Sequence, residues 1–223
     1  MNYIEKMSQK QDSLNEHTVK GWLSVGNPFK RALWLEAAEA MESTPWKWWK
    51  DGKLDIDNLK VESIDMMHFA LSIVLQNGYA GWQWLDNEVK EAFDRDLKIP
   101  EDKLPENIMN VIEMIVMQTF ADSMASRGPH EIIITLAELM NLIGMDRDEM
   151  YKLYMGKNIL NEFRQNNGYK EGIYEKQWFG QEDNVYMTGM LSEIGISNHF
   201  EDDLYRSLED GYKKVQDAKE SEH

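Results

Sequence analysis

Apolar residues recur at helical spacing along most of the chain. Between Pro105 and Arg127, for example, Ile108, Ile112 and Ile115 fall on one face of a helix. Valine and isoleucine do not alternate with polar residues, so we expect no hairpin and no βαβ unit. The pattern predicts helices at residues 3–19, 29–44, 57–77, 82–96, 106–126, 129–143, 147–164, 182–194 and 200–217.

Several helix ends carry the residues that favour them. Pro105 and Pro129 stand where a first helical turn begins, a position that tolerates proline because its N–H would have no partner there. Asp146 and Glu149 are spaced as a capping box, so a helix is expected to begin near residue 147. Gly144 suits the end of the preceding helix. The sequence therefore predicts an all-α protein, a multi-helix bundle.

The longest irregular segment, "NNGYKEGIYEKQWFGQEDN", runs from Asn166 to Asn184. It combines glycine, charged residues and aromatic residues. Loops of this length in compact domains are usually functional or disordered, and the aromatic residues argue against disorder. We therefore expect this segment to contribute to function.

The charge balance narrows the classes of partner. The chain has 24 lysine and arginine residues against 40 aspartate and glutamate residues, a formal net charge of −16. Such a protein repels nucleic acid unless it carries a local basic patch, so we expect no nucleic-acid partner. A phosphorylated small molecule would need divalent cations to offset its repulsion from the carboxylates. The balance therefore favours a nucleotide with Mg²⁺ over DNA.

The sequence gives no sign of a membrane or secreted protein. No apolar run approaches the roughly 18 residues that a membrane helix needs. The first residues, "MNYIEKMSQKQDSLNEH", contain no apolar signal-peptide core. The chain has no cysteine, which excludes disulfides and thiolate metal sites. We expect a cytoplasmic protein with no membrane partner.

Two pairs of acidic residues suggest a metal site. Glu36 and Glu39 are three positions apart, as are Glu62 and Asp65, so each pair lies on one face of a helix. Two helices joined by a short connection tend to pack together, and inward acidic faces would then bring four carboxylates close to one another. Such crowding is destabilising unless a cation offsets it. Oxygen ligands suit Mg²⁺, with Mn²⁺ as a substitute, better than zinc.

Two other interpretations of these acids remain. Acidic pairs at this spacing are common on solvated helix faces in a chain with 40 acids, although the apolar neighbours of both pairs favour a site. A di-iron site would need a glutamate followed three residues later by histidine on two helices. Only Asp65 and His68 make one such step, so we expect His68 to be a hydrogen-bonded core histidine.

Several stretches closely resemble one enzyme family. They are "EAAEAMESTPWKWWK", "VESIDMMHF" and "GKNILNEFRQNNGYKEG", followed by "EDN". They are similar, in this order, to the dimeric all-α dUTP diphosphatases, a branch of the all-α nucleoside triphosphate (NTP) pyrophosphohydrolases. The resemblance spans about Gln11 to Asn184. The acidic pairs are shared by the wider superfamily, whereas the tryptophan–lysine run and "FRQNNGYK" are specific to the dUTPase branch.

This resemblance implies a set of site residues. The metal ligands would be Glu36, Glu39, Glu62 and Asp65, with Glu36 and Glu39 also activating the attacking water. The phosphates would contact Lys157, Asn161, Arg164, Tyr169 and Lys170, with Arg164 suited to a bidentate contact. The base and sugar would contact Gln11, Asn15, Trp46, Trp49 and Asn184.

These residue types also have ordinary structural roles. Trp46 and Trp49 could simply pack the loop that follows the first acidic pair. Lys157 and Arg164 could be cations near the end of a helix, where they interact favourably with the helix dipole. Gln11 and Asn15, four apart on one helix face, could be solvated.

The resemblance implies Mg²⁺-dependent hydrolysis of dUTP to dUMP and pyrophosphate, with dUDP as a second substrate. This activity would limit uracil incorporation into DNA and supply dUMP. The fold would be a homodimeric bundle of the all-α NTP pyrophosphohydrolase type, with residues 1–223 as one domain. The segment at 166–184 would be mobile and close over the phosphates.

Two alternative functions stay open from the sequence. Glutamine and asparagine amides can serve uracil or cytosine by flipping, so dCTP or a broader range of deoxynucleotides remains a candidate substrate. A non-catalytic, nucleotide-binding helical protein is the alternative from a different class, although the intact acids argue against it.

Overall fold

The computed structural model describes residues 2–120, 128–197 and 199–221 of the chain. In these ranges it has ten α-helices: α1 (Tyr3–Thr18), α2 (Trp22–Val25), α3 (Phe29–Glu42), α4 (Ile56–Gln76), α5 (Trp82–Asp94), α6 (Leu104–Phe120), α7 (Glu131–Leu142), α8 (Arg147–Asn166), α9 (Asp183–Leu191) and α10 (Phe200–Ser221). A 3₁₀ turn at Glu101–Lys103 precedes α6. Two short strands, β1 (Gln177–Trp178) and β2 (Gln181–Glu182), precede α9. The all-α prediction is confirmed.

One prediction about local structure was wrong, because the chain does contain a hairpin. β1 and β2 pair antiparallel, with Gln177 opposite Glu182 and Trp178 opposite Gln181. Strands of two residues are too short to show an alternating pattern. The turn between them has positive φ at both central residues, Phe179 (52°) and Gly180 (83°). Turns of this kind usually begin with asparagine, aspartate or glycine, so phenylalanine gave no turn signal.

The predicted helices are otherwise confirmed within a few residues at each end. The structure adds α2, a single turn between Gly21 and Gly26, both of which have positive φ. The predicted helix at 106–126 is observed up to Phe120, and its positions 121–126 lie outside the described residues.

Both predicted end signals between α7 and α8 are confirmed. The Asp146 carboxylate accepts a hydrogen bond from the Glu149 backbone N–H at 2.7 Å, as expected of an N-cap. Gly144 has φ of 75° just after α7. The Gly144 N–H donates to the Asn141 carbonyl at 3.0 Å and the Met145 N–H to the Met140 carbonyl at 2.9 Å. This is the Schellman arrangement, which satisfies the last carbonyls of a helix.

The described chain divides into two compact units, Met1–Met150 and Tyr151–His223. In the first unit α4 is central: it packs against α1, α3 and α7, and 12 of its 21 residues are buried. Helix α5 packs against α1 and α7, and α6 packs against α3 and α7. Among the described residues, none of the helices has the length and apolar character needed to cross a lipid bilayer. That residues 1–223 form a single domain stays a prediction.

The core of the second unit is aromatic. Phe163 on α8 lies edge-on to Tyr174, Trp178, Tyr205 and Tyr212, at centroid distances of 5.5 to 6.2 Å. Tyr174 also stacks on Tyr212, and Trp178 is fully buried. Tyr174 and Trp178 thus anchor the later part of the irregular segment to this core.

The N-terminus of α1 is held by Asp86 on α5. The buried Asp86 carboxylate accepts hydrogen bonds from the backbone N–H groups of Tyr3 (2.9 Å) and Ile4 (3.1 Å). These N–H groups have no partner inside the helix, and a negative charge there also suits the helix dipole. Arg147 donates to the same oxygen at 2.6 Å, and its guanidinium lies 4.4 Å from the Tyr3 ring centroid. This anchor fixes the start of the helix that carries Gln11 and Asn15.

We predict that Asp86→Ala lowers the free energy of unfolding by about 2–4 kcal/mol, because two helix N–H groups and Arg147 lose their carboxylate. Urea unfolding measures the change. Glu91→Ala, an exposed acid on the same helix, serves as the control and should change stability by less than about 0.5 kcal/mol. Equal effects of the two variants would contradict the anchoring role.

Candidate active site

Three carboxylates converge where α3 packs on α4. Glu36 lies on α3, and Glu62 and Asp65 lie one turn apart on α4. One carboxylate oxygen from each of the three residues lies within 4.8 Å of the others. Glu62 is only 8% exposed, and the other two are half-buried. The two packed helices therefore hold three negative charges in one place.

This arrangement fits a hard divalent cation. Like charges at this separation, partly removed from water, repel one another unless they take up protons or share a cation. The converging atoms are all carboxylate oxygens, the donors that Mg²⁺ and Mn²⁺ prefer. Among the described residues, His68 lies outside this group of three carboxylates. It is buried and hydrogen-bonded to Gln11.

Glu39 lies outside the converging group. It follows Glu36 by one turn on α3, and its side chain is exposed. The sequence predicted four converging carboxylates, and the described residues bring three together. A ligand or water-activating role for Glu39 stays a prediction.

Gln11 and Asn15, two predicted base-binding residues, form a hydrogen-bonded chain with α4. The His68 ring Nδ1 lies 2.8 Å from Gln11 Oε1, and Gln11 Nε2 donates to Asn15 Oδ1 at 2.9 Å. Asn15 Nδ2 donates to Ser72 Oγ at 2.9 Å, and the Ser72 hydroxyl donates to the His68 backbone carbonyl at 2.9 Å. Gln11 is buried and Asn15 is half-buried, so these side chains are not simply solvated.

The tryptophans that follow α3 are exposed. Trp46, Trp48 and Trp49 are 41%, 90% and 57% exposed, and Trp49 makes edge-to-face contacts with the other two. The loop that carries them is fastened at its base, where the Asp55 N–H donates to the Ser43 carbonyl at 2.8 Å. The tryptophans thus contact one another, and the Lys47 ammonium lies 5.7 Å from the Trp46 ring centroid, but much of their ring surface stays exposed to solvent.

In the second unit, Arg164 is paired with an acid that the sequence did not single out. Its Nε and one Nη2 hydrogen donate to the two carboxylate oxygens of the fully buried Asp183, at 2.8 and 2.7 Å. Nη1 donates to Asn161 Oδ1 at 3.1 Å, and Nη2 donates to Asn184 Oδ1 at 2.9 Å. Asn161, Arg164 and Asn184 were all predicted to contact the substrate. The structure brings them together, with Arg164 bound to the carboxylate of Asp183.

Asp183 sets the electrostatics of this group. Burial acts to lower the pKa of the Arg164 guanidinium, but the hydrogen bonds and charge of Asp183 outweigh it and the pKa lies above its ordinary value. The Tyr174 hydroxyl donates to Asp183 at 2.8 Å, and burial together with Asp183 raises the pKa of Tyr174 well above its usual range. Both groups therefore stay protonated and hold Asp183 in place.

The bidentate phosphate contact expected of Arg164 is not available in this structure. The Nε–Nη2 edge of its guanidinium faces Asp183, and four of its five N–H groups have partners. Among the described residues, only one Nη1 hydrogen is left for a ligand. The sequence did contain one sign that Asp183 belongs to the site. It lies in the "EDN" block, at the first turn of α9 and directly before Asn184.

The remaining predicted phosphate residues differ in their exposure. Lys157 lies one turn before Asn161 on α8 and is half-buried, whereas Tyr169 and Lys170 are exposed. Lys176, which sequence reasoning missed, places its ammonium group 5.6 Å from the Tyr169 ring centroid. The structure thus places a further basic side chain, Lys176, beside Tyr169.

Comparison with known proteins identifies the family. A model of the dUTPase family matches residues 3–169, well over half of the chain. No curated protein matches the chain. The matched span contains the three converging acids, the hydrogen-bonded chain of Gln11 and Asn15, and all of α8. The chain therefore belongs to the dUTPase family, in its all-α class, and hydrolyses dUTP.

Proposed function

We propose that the protein hydrolyses dUTP to dUMP and pyrophosphate with Mg²⁺ held by Glu36, Glu62 and Asp65, that Mn²⁺ can replace Mg²⁺, and that dUDP is a second substrate. The observation that carries the metal site is the convergence of three carboxylates within 4.8 Å on two packed helices. This activity limits uracil incorporation into DNA and supplies dUMP.

A bound Mg²⁺ supplies charge neutralisation at the phosphate oxygens and favours in-line attack by water. The chain's own residues do the rest. Glu62, the most buried of the three acids, keeps its carboxylate fixed within the helix pair. Glu36, with the exposed Glu39 one turn later, orients the attacking water and accepts its proton.

We assign the phosphates to Lys157, Asn161, Tyr169 and Lys170. Lysine ammonium groups offset the charge that accumulates on the leaving pyrophosphate. For Arg164 we propose a narrower phosphate contact than the bidentate one that the resemblance implied. Because Asp183 already occupies its bidentate edge, Arg164 positions Asn161 and Asn184 and offers one N–H to a phosphate.

The base is assigned to the first unit. Trp46 and Trp49 offer exposed ring faces for stacking, and the half-buried Asn15 offers polar atoms, with Gln11 behind it. The family match favours dUTP over the alternative substrates dCTP and other deoxynucleotides, and over a non-catalytic protein. A cytoplasmic location and the absence of a nucleic-acid partner stay predictions, the second supported by the net charge of −16.

We also propose that the protein forms a homodimer through α6. This helix exposes Met114, Met117 and Phe120, which are 44%, 62% and 64% exposed. Phe120 stacks on Trp34 of α3, whose neighbour Leu35 is 66% exposed. Exposed apolar side chains grouped on packed helices are typical of an interaction surface. A second copy of the chain is the partner that the family resemblance supports.

Charge removal at the acidic group tests the metal site. We expect Glu62→Gln and Asp65→Asn to lower turnover at least about a hundredfold, because metal-assisted charge neutralisation supplies several kcal/mol of catalysis. Without metal, both variants should be as stable as the wild type or more so, since one of the repelling charges is gone. Their melting temperatures should rise less on addition of Mg²⁺.

Glu42→Gln is the matched control for these variants. Glu42 lies on α3, is exposed, and loses only an exposed pair with Lys47, which contributes little to stability. Its turnover and its response to Mg²⁺ should equal those of the wild type. The metal site is wrong if the Glu62 and Asp65 variants behave like this control.

The homodimer is tested by light scattering at micromolar concentration. We expect the mass of a dimer for the wild type and a shift toward the monomer for Met117→Lys, because a buried, unpaired lysine is costly at an apolar interface. Glu91→Lys, an exposed change on α5, should leave the mass unchanged. A monomeric wild type would refute the dimer.

Hydrogen exchange tests the closing segment. Within residues 174–183, Tyr174 and Trp178 belong to the aromatic core and Asp183 pairs with Arg164. We therefore propose that residues 166–173 are the part of the segment that moves. A non-hydrolysable dUTP analogue with Mg²⁺ should slow exchange at 166–173 and change 174–183 little. The same analogue with a chelator is the control. Unchanged exchange at 166–173 would argue against closure.

A further inference from the structure

The hydrogen-bonded chain between α1 and α4 has a fixed direction, set at Ser72. Its hydroxyl has one hydrogen, and that hydrogen points to the His68 carbonyl at 2.9 Å. Reversing it toward Asn15 would leave the Ser72 oxygen and the carbonyl oxygen facing each other at 2.9 Å with no hydrogen between them. Ser72 Oγ must therefore accept a hydrogen bond from Asn15.

The direction of the Ser72 hydroxyl fixes the orientation of every other side chain in this series of hydrogen bonds. Asn15 must turn its NH₂ toward Ser72 and its oxygen toward Gln11. Gln11 must then turn its NH₂ toward Asn15 and its oxygen toward His68. His68 must carry its proton on Nδ1. One buried hydroxyl thus sets two amide orientations and one imidazole tautomer, which are otherwise ambiguous from heavy-atom positions.

The consequence for the base rests on the proposed contact between Asn15 and uracil. Within the described part of the chain, the hydrogen bonds of Asn15 to Gln11 and Ser72 leave one lone pair on Oδ1 and one hydrogen on Nδ2. Uracil presents an N3–H donor and an O4 acceptor, whereas cytosine presents an N3 acceptor and an amino donor. An amide that flips freely serves both bases, but an amide held in one orientation serves only one.

We infer that Ser72, which lies behind Asn15 and does not touch the nucleotide, is a positioning residue that determines the preference for uracil over cytosine. The substrate is dUTP, so the orientation that Ser72 imposes is the one that suits uracil. To bind cytosine, the site would have to reverse the hydrogen bonds of Asn15 and Gln11 together, or leave buried polar groups unpaired. The hydrogen bonds between α1 and α4 therefore disfavour the binding of dCTP.

The test compares dUTP with dCTP in Ser72→Ala. Removing the hydroxyl frees Asn15 to flip, so the ratio of kcat/KM for dUTP to that for dCTP should fall roughly tenfold to hundredfold, mainly through a gain for dCTP. The kcat for dUTP should change little. Ser72→Thr restores a hydroxyl and should restore most of the preference.

Ser63→Ala is the matched control. Ser63 is fully buried on the same helix, and its hydroxyl donates to the Leu59 carbonyl at 2.7 Å, the same local bond that Ser72 makes. It lies outside the hydrogen-bonded chain of Gln11 and Asn15, so the ratio of the two substrates should not change. An equal loss of preference in Ser63→Ala and Ser72→Ala would overturn the inference.

Nitrogen-15 NMR of the His68 ring, recorded at about pH 8 where a free imidazole is neutral, gives a readout that does not depend on activity. We expect the proton on Nδ1 in the wild type and a mixture of tautomers in Ser72→Ala. A proton on Nε2 in the wild type would overturn the fixed direction. The expected tautomer with an unchanged substrate ratio in Ser72→Ala would overturn the link to base selection.

Asn15→Ala separates this inference from the proposed base site on which it rests. If Asn15 contacts uracil, this variant should raise the KM for dUTP. An unchanged KM would show that the proposed base contact is wrong, whatever the tautomer of His68, and the inference about Ser72 would fall with it. Suppose instead that Asn15→Ala raises the KM but Ser72→Ala leaves the substrate ratio unchanged. The proposed base site would then be supported, and only the positioning role of Ser72 would be wrong.

Discussion

The mutual repulsion of Glu36, Glu62 and Asp65 is the constraint around which the first unit is built. One carboxylate oxygen from each lies within 4.8 Å of the other two, so the surrounding structure must restrain them against the repulsion of like charges. The packing of α3 on α4 provides this restraint, and the burial of more than half of α4 makes it rigid. The apolar core of this unit thus holds the three carboxylates together in the place where we propose that a cation binds.

In the second unit, by contrast, a positive and a negative side chain are paired with each other. Arg164 and Asp183 are both buried, and they neutralise each other through two hydrogen bonds. Tyr174, Asn161 and Asn184 satisfy most of the remaining polar atoms of the pair. The net stability gained from such a pair is small, because the cost of removing two charges from water offsets their attraction. The second unit thus pairs opposite charges, whereas the first unit groups three acids of like charge.

The sequence predicted the helices because their apolar faces repeat over many residues, and periodicity of that length is a strong signal. It predicted the pairing of Glu62 with Asp65 because a separation of three residues fixes their common face. It missed the hairpin because Phe179 is an unusual residue at positive φ. It also missed the partner of Arg164, since a contact between residues 164 and 183 depends on how the chain returns through an irregular segment.

The Phe179 turn has a consequence for the order of folding. A two-residue hairpin has almost no stability of its own, and a turn that requires phenylalanine at positive φ makes it weaker still. The hairpin is held instead by Trp178, which is buried against Phe163 of α8 and Tyr212 of α10. We therefore expect the strands to form only after these two helices have met, as a late product of helix assembly.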